Sequence, residues 1–181
     1  EEWYARARDE WRRREYRAHN YGGFSELKAA ARHATWSRPL KQDLPFWIGL
    51  LETFMTPEVP EGLKRKAIYE VAVARLRGLG TLVGYENPLR EYFSTIEDLE
   101  TPGDLEDAQV LLTFCVAASQ RDVVCLATDE IRGWHRRLLA RVDERLRDTD
   151  SPTSRCALLQ TRGYLTMWAD PLCPEPPPAQ E

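Results

Sequence analysis

Lysine is nearly missing from this chain of 181 residues: of 25 basic residues only Lys28, Lys41, Lys64 and Lys66 are lysines, and arginine supplies the rest. Arginine forks bind phosphate and carboxylate bidentately, but the coding bias of a GC-rich genome produces the same excess, so composition alone marks no site. Histidine is confined to His19, His33 and His135, far apart and each near arginines, with no partner at Glu-x-x-His or zinc-ligand spacing. The cysteines, Cys115, Cys125, Cys156 and Cys173, form no CxxC pair, and two of them sit in apolar helical patterns where a thiol acts as a small hydrophobe. A reducing, intracellular compartment, cytoplasmic or nuclear, is the expectation.

Long apolar runs are also lacking. The longest, residues 44–51, contains Pro45 and ends at Glu52, well short of the roughly 18 residues that a membrane span requires, so no membrane insertion is expected. The phosphate-cradling patterns GxxxxGK[ST] and GxGxxG, the nucleophile elbow GxSxG and the metal-binding HExxH are all missing. No nucleophile, base and orienting group can be assembled from spacing, and neither an enzyme nor a cofactor is expected. A chain that begins at Glu1 without Met is expected to be a processed or excised part of something longer.

What is present suits a folded domain. Hydrophobic residues make up 43% of the chain and charged residues 30%, with six Trp, and a chain of this length buries roughly 70% of the surface its unfolded form exposes. The net charge of −4 argues against the broad positive field used by nonspecific nucleic-acid binders.

Apolar periodicity is helical throughout. Residues 104–147 organise the chain: Leu105, Ala108, Leu111, Leu112, Cys115 and Val116 belong to a stretch apolar on almost every face, which reads as a central helix. Val124, Ala127, Ile131, Trp134, Leu138 and Val142 then repeat in steps of three and four, with a break expected at residues 119–122. Before them, residues 2–19 read as an arm-like first helix ended by Asn20-Tyr21-Gly22-Gly23. Ser25 caps a second helix with small residues Ala30, Ala31 and Ala34. Asp43 opens a third that is apolar nearly all round, so either it is buried or one face is an interface. A fourth covers residues 61–79 and closes at Gly80, a fifth starts at Asn87-Pro88, Asp104 caps the central helix, and Ser151-Pro152 starts the last. No segment alternates with period two, so no sheet is expected.

The fold class is therefore all-α, an irregular bundle of about eight helices or an α-solenoid-like stack, forming one domain over residues 1–170 with residues 1–20 as the arm. Residues 171–181 are rich in proline and poor in apolar side chains, a disordered tail. The function expected is non-enzymatic: a scaffold, adaptor or regulatory domain that binds a protein partner, a second copy of itself included. Its candidate anchors are Trp3, Trp11, Phe46, Trp47 and Phe54, rimmed by the line Arg137, Arg141 and Arg145. That line, and the arginines of the first helix, also support the alternative of a nucleic-acid-associated regulator, although interleaved acids read as partners within the chain. The acids of residues 97–107 lack calcium-loop order. Glu97, Asp98 and Glu100 stand at a helix C-terminus, where negative charge is disfavoured, and so suggest a basic partner surface.

Overall fold

Side chains that recur every three or four residues bury themselves most readily as helices, and in a computed structural model of the chain, which describes residues 2–13 and 19–167, they do so throughout. Among the described residues eight α-helices follow in order: α1 Glu2–Arg13, α2 Tyr21–Trp36, α3 Leu44–Glu52, α4 Glu61–Val73, α5 Glu86–Ser94, α6 Pro102–Ser119, α7 Thr128–Asp148 and α8 Pro152–Met167. No strand occurs among the described residues. The all-α expectation is met, while the tail expected at 171–181 and the end of the first helix over 14–18 lie outside the described residues.

Within residues 1–170, read from sequence as one domain, the chain forms two compact units that divide between Leu82 and Val83. In the first, α2 packs on α3, on the 3-10 segment Arg38–Asp43 and on the π-helical turn Ala74–Leu79 that prolongs α4. Ala30, Ala31 and Ala34 are buried, and their small side chains let α2 approach its neighbours closely. Gly78 serves the same end, since a Cβ there would lie 2.3 Å from Leu44 Cδ1. Gly80 closes the π turn at φ +79°, a left-handed conformation that glycine adopts without a Cβ penalty. In the second unit, α6 packs against both α7 and α8, which also pack on each other. Leu105, Ala108, Leu111, Leu112, Cys115 and Val116 are all buried, as the nearly all-round apolar pattern requires.

Several helix ends differ from expectation. Asn20 starts α2 instead of ending the first helix: its Oδ1 accepts from the Gly23 amide at 2.9 Å, and neither Gly22 nor Gly23 has the positive φ of a C-capping glycine. Ser25 therefore lies inside the helix. Asp43 precedes α3 without a side-chain capping bond, because its carboxylate is engaged by α1. Helix α5 begins at Glu86, with Pro88 in its first turn, where a missing N–H costs nothing. Thr101, not Asp104, caps α6, accepting from the Asp104 amide at 3.1 Å while donating to Asp104 Oδ2 at 2.6 Å. The expected break after Ser119 is present, marked by Asp122 at φ 54°, but Val124 and Ala127 fall in the connection rather than in α7.

Candidate interaction surfaces

The aromatic candidates separate by burial. Trp11 is 1% exposed and Trp47 and Phe54 are 0% exposed, so these three expected surface anchors fill the interior of the first unit. The near-uniform apolarity of α3 left burial or interface open, and burial is the outcome. Trp47 Nε1 donates to the Tyr4 hydroxyl at 2.6 Å, and Tyr4 donates to Asp43 Oδ2 at 3.1 Å. Arg8 Nη1 meets the same carboxylate oxygen at 3.1 Å. Burial pushes the Tyr4 phenol up to about 12, helped by Asp43 and opposed by the Trp47 hydrogen bond, which keeps Tyr4 a neutral donor. This chain of bonds pins α1 to α3. Phe46 is half-buried, edge-on to Trp47 at 4.9 Å and with the Arg12 guanidinium 5.2 Å from its ring centre. Trp3 alone of the five is exposed, at 44%, with its ring 5.3 Å from that of His33.

Arg137 and Arg141 of the arginine line on α7 are engaged within the chain. Arg137 Nε and Nη2 donate to the two Glu97 carboxylate oxygens at 2.8 and 2.5 Å. Those bonds hold the Glu97 carboxyl below the usual carboxylate range, against the opposing effect of burial. Arg141 Nε donates to the Leu99 carbonyl at 3.0 Å and Nη1 to Glu144 at 2.7 Å. Arg145 follows, half-buried. Helix α5 stops at Ser94 and Glu97 lies in the separate 3-10 turn Ile96–Asp98, so it does not occupy the unfavourable helix C-terminus expected from the sequence. Glu97 meets its basic surface in its own chain.

The remaining polar chemistry is also tied up. His135 is buried and its Nε2 lies 2.8 Å from the Leu165 carbonyl; a carbonyl only accepts, so Nε2 carries the proton and fastens α8 to α7. Burial pushes the Cys115 thiol up, away from the thiolate that reactivity needs. Cys125 and Cys156 are exposed, and among the described residues no three His, Cys, Asp or Glu side chains converge in a group that could hold a metal ion. No helix among the described residues is long and apolar enough to cross a membrane.

Two exposed faces stand out. On α8 the buried side is Leu158, Thr161 and Leu165. The opposite side carries Cys156, Leu159, Gly163 and Met167 in steps of three and four, with Tyr164 on its flank. Leu159 is 52% exposed, Met167 64% and Tyr164 42%, and a Cβ on Gly163 would meet nothing within 4 Å. The sequence hides this stripe because Leu158 and Leu165 stand beside Leu159 and Tyr164 in the chain, so apolar residues fall on both sides of the helix. The step of seven from Leu158 to Leu165 and the steps of four from Leu159 through Gly163 to Met167 separate the two sides. The second face is the outer side of α1, where an open groove of about 390 Å³ is lined by Trp3, Arg6, Ala7 and Glu10 with Glu26 and Ala29 of α2.

Comparison with models of protein families, with curated proteins and with solved structures finds no match. The surfaces have to be read from their own chemistry.

Proposed function

We propose that the chain is a non-enzymatic protein-interaction domain, and that the outer face of α8 receives a helix or apolar strip of its partner. The observation that carries this reading is the run Leu159, Gly163, Met167 with Tyr164 beside it: three large apolar side chains left in water on one helix that already has a complete buried side. Exposed apolar residues scattered singly need no explanation, but aligned ones mark contact surfaces. Amphipathic partner helices read such a stripe through anchors at i, i+3 or i+4 and i+7. Gly163 lets a partner backbone come close, and the exposed Arg155 on the flank favours acidic residues at its rim.

The test is purification of the tagged chain from its native cell extract, with and without nuclease, beside the double variant Leu159→Asp, Met167→Asp. Both sites are exposed, so the helical circular dichroism is expected to stay intact. A protein partner that survives nuclease and is lost with the double variant is the expected result. Retention of the partner by the variant overturns the α8 reading, and disappearance of all bound material with nuclease overturns the protein-partner reading altogether.

A further inference from the structure

We propose a second recognition surface, independent of α8: the outer face of α1 pairs with the same face of a second copy of this chain, antiparallel, about a two-fold axis near the middle of the helix. The buried side of α1 is defined by Tyr4 and Trp11. Opposite them, in steps of four, three and four, stand Glu2, Arg6, Asp9 and Arg13, all exposed. Their charges alternate: acid, base, acid, base. Laid antiparallel on itself, that line matches at every position, Glu2 with Arg13 of the second copy, Arg6 with Asp9, and the two reciprocal pairs. Laid parallel in the same register, it opposes like charges at every position. The pattern therefore selects both the partner and its direction, and a two-fold contact of this kind closes on itself as a dimer.

Alternating charges four apart commonly pair along their own helix, and here that use is not what the geometry displays. The ion pair described for these four residues is a long one, Arg8 Nε to Asp9 at 4.0 Å. The apolar component comes from Trp3, which is 44% exposed on the flank of the line and lines the groove with Ala7 and Ala29. A two-fold axis keeps the flanks of the two helices on the same side, so Trp3 of each copy comes beside Arg13 of the other. A ring face and a guanidinium are attractive partners there. Helix α1 is only three turns long and the pairs lie in water, so the dimer is weak and depends on salt.

The test is sedimentation of the full chain over a range of concentrations at about 50 mM and about 500 mM salt, where screening shortens the reach of surface charges severalfold. The expected result is a concentration-dependent dimer at low salt whose dissociation constant rises at least about tenfold at high salt. Arg6→Glu with Arg13→Glu is expected to abolish it. The fourfold exchange Glu2→Arg, Arg6→Glu, Asp9→Arg, Arg13→Glu restores antiparallel matching and is expected to dimerise again; against the original chain it matches only in the parallel direction, so labels placed at the same end of α1, far apart in the antiparallel dimer of either chain alone, are expected to come close by energy transfer only in the mixture. A chain that stays monomeric at low salt, a dimer indifferent to salt or to the double reversal, or antiparallel pairing of the exchanged with the original chain overturns the proposal. If circular dichroism shows the double reversal unfolded, the fourfold exchange, which keeps the alternation along the line, decides alone.

Discussion

Replacing Trp47 by alanine empties a site with no exposure at all and leaves the Tyr4 hydroxyl, which still donates to Asp43, without its donor. Such large-to-small changes cost about 3–5 kcal/mol when the surroundings cannot collapse, and the expected outcome is a loss of that order in urea unfolding, not a selective loss of binding. Wild-type stability in the variant would mean that the indole is not core. Arg137 behaves differently because its pair is exposed. The Glu97 carboxyl is held below its ordinary value of 4.5 by hydrogen bonds from Arg137, with burial acting the other way. A depressed native value means that the unfolded chain binds the proton more tightly. The pair's contribution is then complete above pH 4.5 and disappears as pH falls through the depressed value. Arg137→Gln is expected to move Glu97 up toward 4.5 in a carboxylate NMR titration and to flatten the acid limb of the stability profile. An unshifted Glu97 titration in the variant would show that the bond does not govern the carboxyl.

At the scale of elements, two glycines inside helical segments have opposite meanings. Gly78 lies where the π turn meets the start of α3, and the Cβ of an alanine there would stand 2.3 Å from buried Leu44 Cδ1. Gly163 on α8 faces open space. Gly78→Ala is expected to destabilise by about 1–3 kcal/mol through overpacking, and Gly163→Ala to stabilise by up to about 1 kcal/mol through helix propensity. Equal effects of the two in thermal unfolding would contradict the close approach at Gly78. The sequence shows neither distinction, since both residues read as isolated glycines in apolar helical patterns. The helices themselves were legible because three-and-four periodicity survives any choice of neighbour: Ile131, Trp134, Leu138 and Val142 are all buried as their spacing demands. Ends were less legible. Asn20-Tyr21-Gly22-Gly23 suits a helix start or a helix stop, and only the backbone angles decide. Of the site, Trp3 and Trp11 look alike in the sequence, and that Trp3 is exposed while Trp11, Trp47 and Phe54 are interior was not readable, because which aromatics are buried depends on contacts between segments distant in sequence.

On the scale of the whole molecule, the competing reading as a nucleic-acid-associated regulator depends on how many guanidinium groups remain available to phosphate. Phosphate contacts supply nearly all nonspecific affinity, and each arginine already bound to a carboxylate has to give up that bond first. On α7, Arg132 holds Asp129 at 3.0 Å, Arg137 holds Glu97, and Arg141 holds Glu144. The chain as a whole carries −4, which repels a polyanion at any distance the salt does not screen. The expected outcome is that fluorescence anisotropy of a labelled DNA duplex stays unchanged at micromolar protein in about 150 mM salt, a concentration at which nonspecific binders with several free phosphate contacts already associate. Tight binding that falls steeply with salt, and that is removed by Arg136→Glu with Arg145→Glu, would reverse the order of the two readings. Those two residues make the decisive variant because neither is held by the pairs named above, so their loss leaves the packing of α7 against Glu97 and Leu99 in place and removes only what α7 can still offer to a partner.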